Sequence, residues 1–324
     1  MRVAVTGGAG FIGSHIADAL VAAGHAVLVV DNLSSGSLEW VPQGASLAQL
    51  DIREAAAIRE CLTGFQPDAI CHQAAQVSVA ASVRDPALDG SVNVLGTVHM
   101  LDAAVAARAR RFVFASTGGA IYGEVPEGQR ASQKWAPAPQ SPYAMSKLAA
   151  ERYVTWYASH RGLRTTTLRY ANVYGARQDP HGEAGVVAIF LTRLRTMRPL
   201  RINGRRAQGD DGCVRDYVYV DDVVRANLLA LMADDPPTVL DVGTGIGTTT
   251  RELAATIAGT IGVRLTTEDA PPRTGDLGRN VLDPAECEAL LGAHTPLANG
   301  LHLTAAAGSL ADAPTRSAVS PSRP

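Results

Sequence analysis

At 324 residues, with 46% hydrophobic and 19% charged side chains, the chain is long enough for one large α/β domain or two closely joined lobes with ample core. A formal net charge of −2 supplies no basic field for nucleic acid or a membrane surface, and no apolar run is long enough to span a bilayer. Four scattered cysteines (Cys61, Cys71, Cys213, Cys287) form no C-x-x-C pair and are expected as free thiols; with the direct entry into a strand and no leader, they point to the cytoplasm.

The first predicted strand, Arg2–Val5, runs into the loop Gly7-Gly8-Ala9-Gly10-Phe11-Ile12-Gly13, and an amphipathic helix follows to Ala23. Gly8, Gly10 and Gly13 read as G-x-G-x-x-G, while Gly7, Gly10 and Gly13 read as G-x-x-G-x-x-G. A glycine loop between strand and helix lets a diphosphate approach the positive helix end with no Cβ in the way. The second strand, Ala26–Val30, ends at Asp31-Asn32. An acid there can accept hydrogen bonds from both hydroxyls of an adenosine ribose and repels a 2′-phosphate, so the expected cofactor is NAD rather than NADP.

Further strands are predicted over Ser46–Leu50, Ala69–His72, Arg111–Ala115 and Thr165–Arg169, with helical periodicity between them. This alternation predicts an α/β fold, a doubly wound parallel sheet with ligands beyond the carboxyl ends of its strands. Asp51-Ile52 follows the third strand; Asp51 can accept from an adenine amino group with Ile52 beside the ring, or serve as N-cap of a helix Glu54–Leu62. After the fourth strand, His72 reads as a core histidine, while Ala74, Ala75 and Gln76 let a flat ligand lie close to the backbone. Asn93 is the polar exception on the apolar stripe of a predicted helix Asp85–Ala107 and reads as a buried side chain holding neighbouring loops. Ser116-Thr117-Gly118-Gly119 places hydroxyls and glycines at the fifth strand end. Ser141 and Pro142 then open a helix to about Ser159, stopped by Gly162, with Tyr143 and Lys147 on one face. A nearby ammonium and a cationic ring would both stabilise the tyrosine anion.

From residue 176 the strand–helix rhythm stops. A polar loop, Gln178 to Glu183, precedes a helix Val186–Met197; His181 and Glu183 lack a third ligand, so no metal is expected. Leu200-Arg201-Ile202 reads as a short strand whose backbone could pair with a uracil. A helix Asp221–Met232 and a seventh strand, Val239–Val242, return to the first domain, and helices Arg251–Ile261 and Pro284–Leu291 read as parts of the second lobe. The predicted division is 1–175 plus about 217–246 for the dinucleotide domain, about 176–216 plus 247–303 for a substrate lobe, and a disordered tail over 304–324.

Taken together, the glycine loop, Asp31, Ser116-Thr117 with Tyr122-Gly123, and Tyr143-x-x-x-Lys147 resemble the extended short-chain dehydrogenase/reductase family. Leu168-Arg169-Tyr170-Ala171-Asn172-Val173-Tyr174-Gly175 and Val214 to Asp222 resemble its nucleotide-sugar branch, the UDP-glucose 4-epimerases in particular, over about residues 1 to 295. The resemblance implies that Tyr143 is the catalytic base, Lys147 its pKa-lowering partner and a ligand of the nicotinamide ribose, and Thr117 (or Ser116) the contact to the sugar 4-hydroxyl. It implies cofactor contacts from Gly7, Gly10, Phe11, Ile12, Gly13, Asp31, Asn32, Asp51, Ile52, Ala74, Ala75, Gln76, Asn93 and Tyr170. Substrate contacts are implied for Asn172, Arg177, Val187, Leu200, Arg201, Ile202, Arg215, Arg273 and Asp276, the last touching the uridine ribose or orienting Arg215.

The implied activity is NAD-dependent 4-epimerisation of a UDP-hexose without net redox, in a homodimer. Family dehydratases carry Asp-Glu after the threonine; Gly118-Gly119 stands here instead. No acid beside Thr117 supports decarboxylation of UDP-glucuronate. Epimerisation of that uronate remains open, because Arg177 could pair with its carboxylate or with Asp179. UDP-N-acetylhexosamines also remain open, because the position governing N-acetyl tolerance falls near Asn280. A rival of another class is a non-catalytic NAD sensor, which would be expected to lack Tyr143 or Lys147.

Overall fold

The computed structural model describes residues 1–180, 185–273 and 275–307; His181, Glu183, Thr274 and the segment from 308 onward lie outside the described residues. In chain order the strands are β1 (Arg2–Thr6), β2 (Ala26–Asp31), β3 (Ser46–Gln49), β4 (Ala69–His72), β5 (Arg111–Thr117), β6 (Arg164–Tyr170), β7 (Asn172–Tyr174), β8 (Leu200–Asn203), β9 (Val214–Tyr219), β10 (Val239–Val242), β11 (Gly247–Thr249), β12 (Thr267–Ala270) and β13 (Arg279–Asn280). The helices are α1 (Phe11–Ala22), α2 (Ala55–Phe65), α3 (Val79–Arg84), α4 (Pro86–Gly90), α5 (Gly96–Ala106), α6 (Gly118–Ile121), α7 (Pro142–Arg161), α8 (Val186–Arg195), α9 (Val220–Met232), α10 (Thr250–Ile261), α11 (Ala285–Leu291) and α12 (Leu297–Ala306).

Seven strands pair in parallel in the order β10-β6-β5-β4-β1-β2-β3. Alternate side chains of β1 and β2 feed two cores: Val3, Val5, Val27 and Val29 pack towards α1 and α9, while Ala4, Leu28 and Val30 pack towards α2, α5 and α7. Both faces are covered, so the strands are continuous apolar runs. Strand order reverses between β1 and β4, the place where sheets of this kind take a ligand beyond their carboxyl ends.

The remaining strands form two small sheets. In one, β9 pairs with β7 and β13 in parallel and with β11 antiparallel; in the other, β8 pairs with β12. A third core under α8, α10 and α12 gathers Phe190, Leu253, Ile257 and Leu301 around Tyr217 and Tyr219. Fully buried Asp216 fastens this region to the end of the large sheet: its carboxylate accepts from Thr244 N and Oγ1, Gly245 N and Leu282 N at 2.7–3.2 Å.

Four expectations need correction. The helix foreseen over Asp85–Ala107 is interrupted: α4 ends at Gly90, a π-helical turn covers Ser91–Leu95, and α5 follows. The chain leaves the large sheet at Tyr170, and β7 already pairs with β9, so the expected boundary at 175 falls one strand late. The helix at Pro284–Leu291 packs on α9 and β10 rather than in the third core, because Cys287 and Leu291 face that side. Residues 304–306 close α12 instead of opening a tail, since Leu301 and Thr304 are buried.

Candidate active site

The nucleotide end is built by close backbone approach. Gly7 has φ +65°, and a Cβ there would meet Ala74 N at 2.8 Å. A Cβ on Gly13 would stand 2.1 Å from Gly7 O, so only glycine lets α1 dock against the loop. The N-cap of α1 is Gly10, with no side-chain cap and no acid in the first turn. The first N–H groups of that helix therefore keep their positive end for an anion. Asp31 accepts from Ala9 N (3.0 Å) and Leu33 N (2.8 Å), which fixes its carboxylate at the tip of β2. A diphosphate beside a ribose diol fits this uncapped helix and fixed acid.

Asp51 does not cap α2, whose N-cap is Glu54. It accepts from Asn32 Nδ2 (2.9 Å) and from Arg53 N, Nε and a terminal guanidinium nitrogen (2.7–2.9 Å), and the Arg53 bonds hold its carboxyl far below the usual range. Ile52 is turned into the core, 5% exposed, against the bare face of Gly96. After β4, Ala74 N donates to Thr6 Oγ1 at 3.2 Å. His72 is the core histidine expected, held by Thr6 Oγ1 (2.6 Å) and Thr97 Oγ1 (3.1 Å); burial drives its pKa down to about 3. Asn93 is buried and its amide is taken up by protein: Oδ1 accepts from Gln76 N, and Nδ2 donates to Gln76 O, Asp89 Oδ1 and Ser146 Oγ.

Ser141 Oγ accepts from Ala144 N (3.2 Å), Pro142 takes the first turn, and Gly162 at φ +70° ends α7. This helix brings half-buried Tyr143 to Thr117 and buries Lys147, whose Nζ lies 4.3 Å from the centroid of the Phe114 ring. Burial pushes the Tyr143 hydroxyl up to about 12, against the lowering from its hydrogen bond with Thr117 and with the Asp89 charge adding to the rise. The expected depression of the tyrosine is thus not a property of the protein alone; desolvation outweighs the hydrogen bond from Thr117. Lys147 falls to about 8 through burial, with Glu151 and then Asp89 pulling it back up.

Ser116 is engaged one turn further along α7 than Lys147. Its Oγ donates to Glu151 Oε1 (2.6 Å), and Glu151 also takes Arg169 Nε (2.9 Å) and a terminal nitrogen (2.6 Å). Arg169 reaches the Tyr122 hydroxyl (2.6 Å), which donates to Asp241 (2.8 Å). Of the two hydroxyls, Thr117 is therefore the one that meets Tyr143. Glu151 and Asp89 were missed from sequence; Glu151 continues the Tyr143, Lys147 spacing by four residues, a signal that was available.

Of the other residues, Asn172 Nδ2 donates to Asp216 O (3.1 Å), and the Arg215 guanidinium donates to the carbonyls of Val214 and Leu277. Arg273 and Asp276 are exposed. Arg177 pairs with Asp18 (2.7 Å) and donates to Ser14 Oγ (3.0 Å), so its charge is engaged on α1. Val187, Leu200 and Ile202 are core side chains, exposed by 1% or less, which leaves only their backbone for a ligand; Arg201 is exposed. The Tyr170 hydroxyl is bonded inward to Asn227 and Gln73. Asn280 is buried in β13, with Nδ2 donating to Gly123 O (3.3 Å). Among the described residues, no three His, Cys, Asp or Glu side chains converge as metal ligands, and no helix is long and apolar enough to cross a membrane.

Residues 3–243 match the NAD dependent epimerase/dehydratase family. The chain is 44% identical over 296 residues to the UDP-glucose 4-epimerase of Mycolicibacterium smegmatis, covering 90% of this chain and 93% of that one. Its fold superposes on the Thermus thermophilus UDP-glucose 4-epimerase in complex with NAD, with TM-score 0.91, 48% identity and coverage of 97% and 100% of the two chains. The Thermotoga maritima UDP-glucose 4-epimerase with UDP-glucose gives TM-score 0.88 at 42% identity, over 94% of this chain and 98% of the other.

Proposed function

The chain belongs to the NAD dependent epimerase/dehydratase family, and on that footing we propose that it interconverts the C4 epimers of a UDP-hexose of the glucose/galactose type, with NAD as a resident cofactor. One observation carries the reading: the Tyr143 hydroxyl faces Thr117, with the buried Lys147 ammonium one helical turn behind it. Gly7, Gly10, Phe11, Ile12 and Gly13 hold the cofactor diphosphate, Asp31 its adenosine ribose, and Lys147 its nicotinamide ribose. When bound, NAD takes a hydride from carbon 4 and gives it back. Thr117 orients the 4-hydroxyl, and Tyr143 removes its proton and later returns it. Arg215, Arg273 and Asn172 anchor the substrate diphosphate, and the free edge of β8 offers backbone groups to the uracil.

Dehydration is disfavoured by space as well as by chemistry. A Cβ at Gly118 would meet Leu282 Cδ1 at 2.6 Å and Arg169 O at 3.1 Å, so an acid at this position requires Leu282 to shift. With Arg177 engaged by Asp18, a neutral hexose is preferred to a uronate. We read the fold as a dinucleotide domain built on the large sheet and a substrate lobe built on the third core. Exposed Met145, Tyr153 and Trp156 on α7 favour pairing of two copies, and the free cysteines suit the cytoplasm.

The test is incubation of purified protein with UDP-glucose and no added NAD, analysed by anion-exchange chromatography. UDP-galactose supports the reading. A 4-keto-6-deoxy product would assign a dehydratase, and no turnover of any nucleotide sugar would leave the sensor.

A further inference from the structure

We propose that Glu151, Arg169 and Ser116 are positioning residues for the reaction: bonded together behind the site, they set where α7 lies along β5 and so where Tyr143 meets Thr117. This rests on the roles assigned above to those two residues. Three elements are tied at one buried carboxylate. Glu151 comes from α7, Ser116 from the end of β5, and Arg169 from the end of β6, where it stands opposite Ser116 in the sheet. Ser116 Oγ donates to Glu151 Oε1 at 2.6 Å, Arg169 Nε to the same oxygen at 2.9 Å, and a terminal nitrogen of Arg169 to Oε2 at 2.6 Å. The other terminal nitrogen holds the Tyr122 hydroxyl (2.6 Å), which donates to Asp241 of β10 (2.8 Å). The reacting groups are each a short step from this knot. Thr117 follows Ser116, while Lys147 and Tyr143 lie about one and two turns before Glu151 on α7.

Stability alone does not account for a buried ion pair at this place, because apolar side chains of similar volume are often as stable or more so. Apolar packing is already at hand: Ala150 and Val154 of α7 share a core with Phe112 and Phe114, and the Lys147 ammonium lies over the Phe114 ring. Such packing is non-directional and leaves the helix free to slide by small amounts. The forked pair is directional. A slide by the rise of one helical residue, about 1.5 Å, would break its bonds. The hydrogen bond between Tyr143 and Thr117 depends on the same placement.

The test separates placement from stability. The double variant Glu151→Leu with Arg169→Met removes both charges, and its Tm should recover most of what either single change loses. Its kcat is nevertheless expected to fall about 10–100-fold, the size of a misplacement near 1 Å, with KM for UDP-glucose and NAD content close to wild type. A folded, NAD-loaded double variant with wild-type kcat overturns the proposal, as does a loss of rate matched by lost NAD. Ser116→Ala leaves the ion pair intact and serves if the double variant does not fold; it should lower kcat several-fold at unchanged KM, and an unchanged kcat there overturns the proposal too. A second readout needs no turnover. Tyrosine labelled with 13C at Cζ reports the bond to Thr117 in the full-length protein; Tyr143→Phe assigns the resonance and Thr117→Val gives the shift for a lost bond. The Tyr143 resonance of the double variant and of Ser116→Ala should move in that direction, and a resonance unmoved in both refutes the placement. If the wild type turns over no nucleotide sugar, the functional reading fails, while a moved resonance still upholds the knot as what brings Tyr143 to Thr117.

Discussion

Glu151→Gln removes one charge from a buried pair and leaves the other. The two side chains are 7% and 9% exposed, and they meet through bonds of 2.9 and 2.6 Å. The amide keeps the shape but presents an NH2 to one fork of Arg169, and Ser116 Oγ competes for the remaining oxygen. Breaking one side of such a pair costs about 3–5 kcal/mol, mostly the penalty of an uncompensated guanidinium. With an unfolding entropy of about 2.1 cal/mol/K per residue over some 300 ordered residues, that loss lowers Tm by roughly 5–8 °C. Differential scanning calorimetry of wild type and variant at one pH measures it. The double variant Glu151→Leu with Arg169→Met removes both charges and should recover much of the loss, because Tyr122 retains its bond to Asp241. A Tm within 1 °C of wild type for Glu151→Gln alone would refute the reasoning (the threshold is about the error of the assay). So would a double variant less stable than the single one.

Tyr143→Phe should fold normally and lose about 10²–10⁴-fold in kcat, because only the proton-transfer group is gone; unimpaired turnover would remove Tyr143 from the mechanism. Gly13→Ala should be poorly folded or free of NAD, judged by circular dichroism and by the cofactor absorbance of the purified protein, since its Cβ would sit 2.1 Å from a carbonyl oxygen. His72 has a folded pKa of about 3, well below its unfolded value, so the unfolded chain takes the proton first. Stability therefore falls as pH drops below about 6.5, with a slope approaching about 1.4 kcal/mol per unit. Asp241, raised to about 6, acts in the opposite direction between 6 and its unfolded value. Comparing urea midpoints of His72→Asn and wild type from pH 7 to pH 4 isolates the histidine, and the variant's curve should be the flatter.

The large sheet was legible because its strands are unbroken apolar runs between helical periods, and a parallel sheet covered on both faces demands that pattern. The glycine loop and α7 were legible through local steric rules: a positive φ at Gly7 and Gly162, a hydroxyl at Ser141, a proline in the first turn. What escaped is what tertiary contact decides. Nothing in Ser116-Thr117 says which hydroxyl meets Tyr143; that depends on the strand's register against α7, where Glu151 claims the serine. Arg177 looked free to bind a carboxylate because Asp18 is far away in sequence and near only after folding. The π-helical turn leaves no periodic trace over five residues. The dryness around the Tyr143 phenol, which pushes its pKa up, left no mark on the sequence spacing.

The placement of β10 bears on how the chain is made. β6 is complete at Tyr170, but the strand that covers its outer edge begins at Val239, and the strands between them build other sheets. During synthesis, or in a product cut short by a premature stop, Arg164–Tyr170 stands as a bare edge with open hydrogen-bonding groups, a template for self-association. A fragment ending at residue 235 is expected to sediment as aggregate, and one reaching residue 307 to remain in the supernatant.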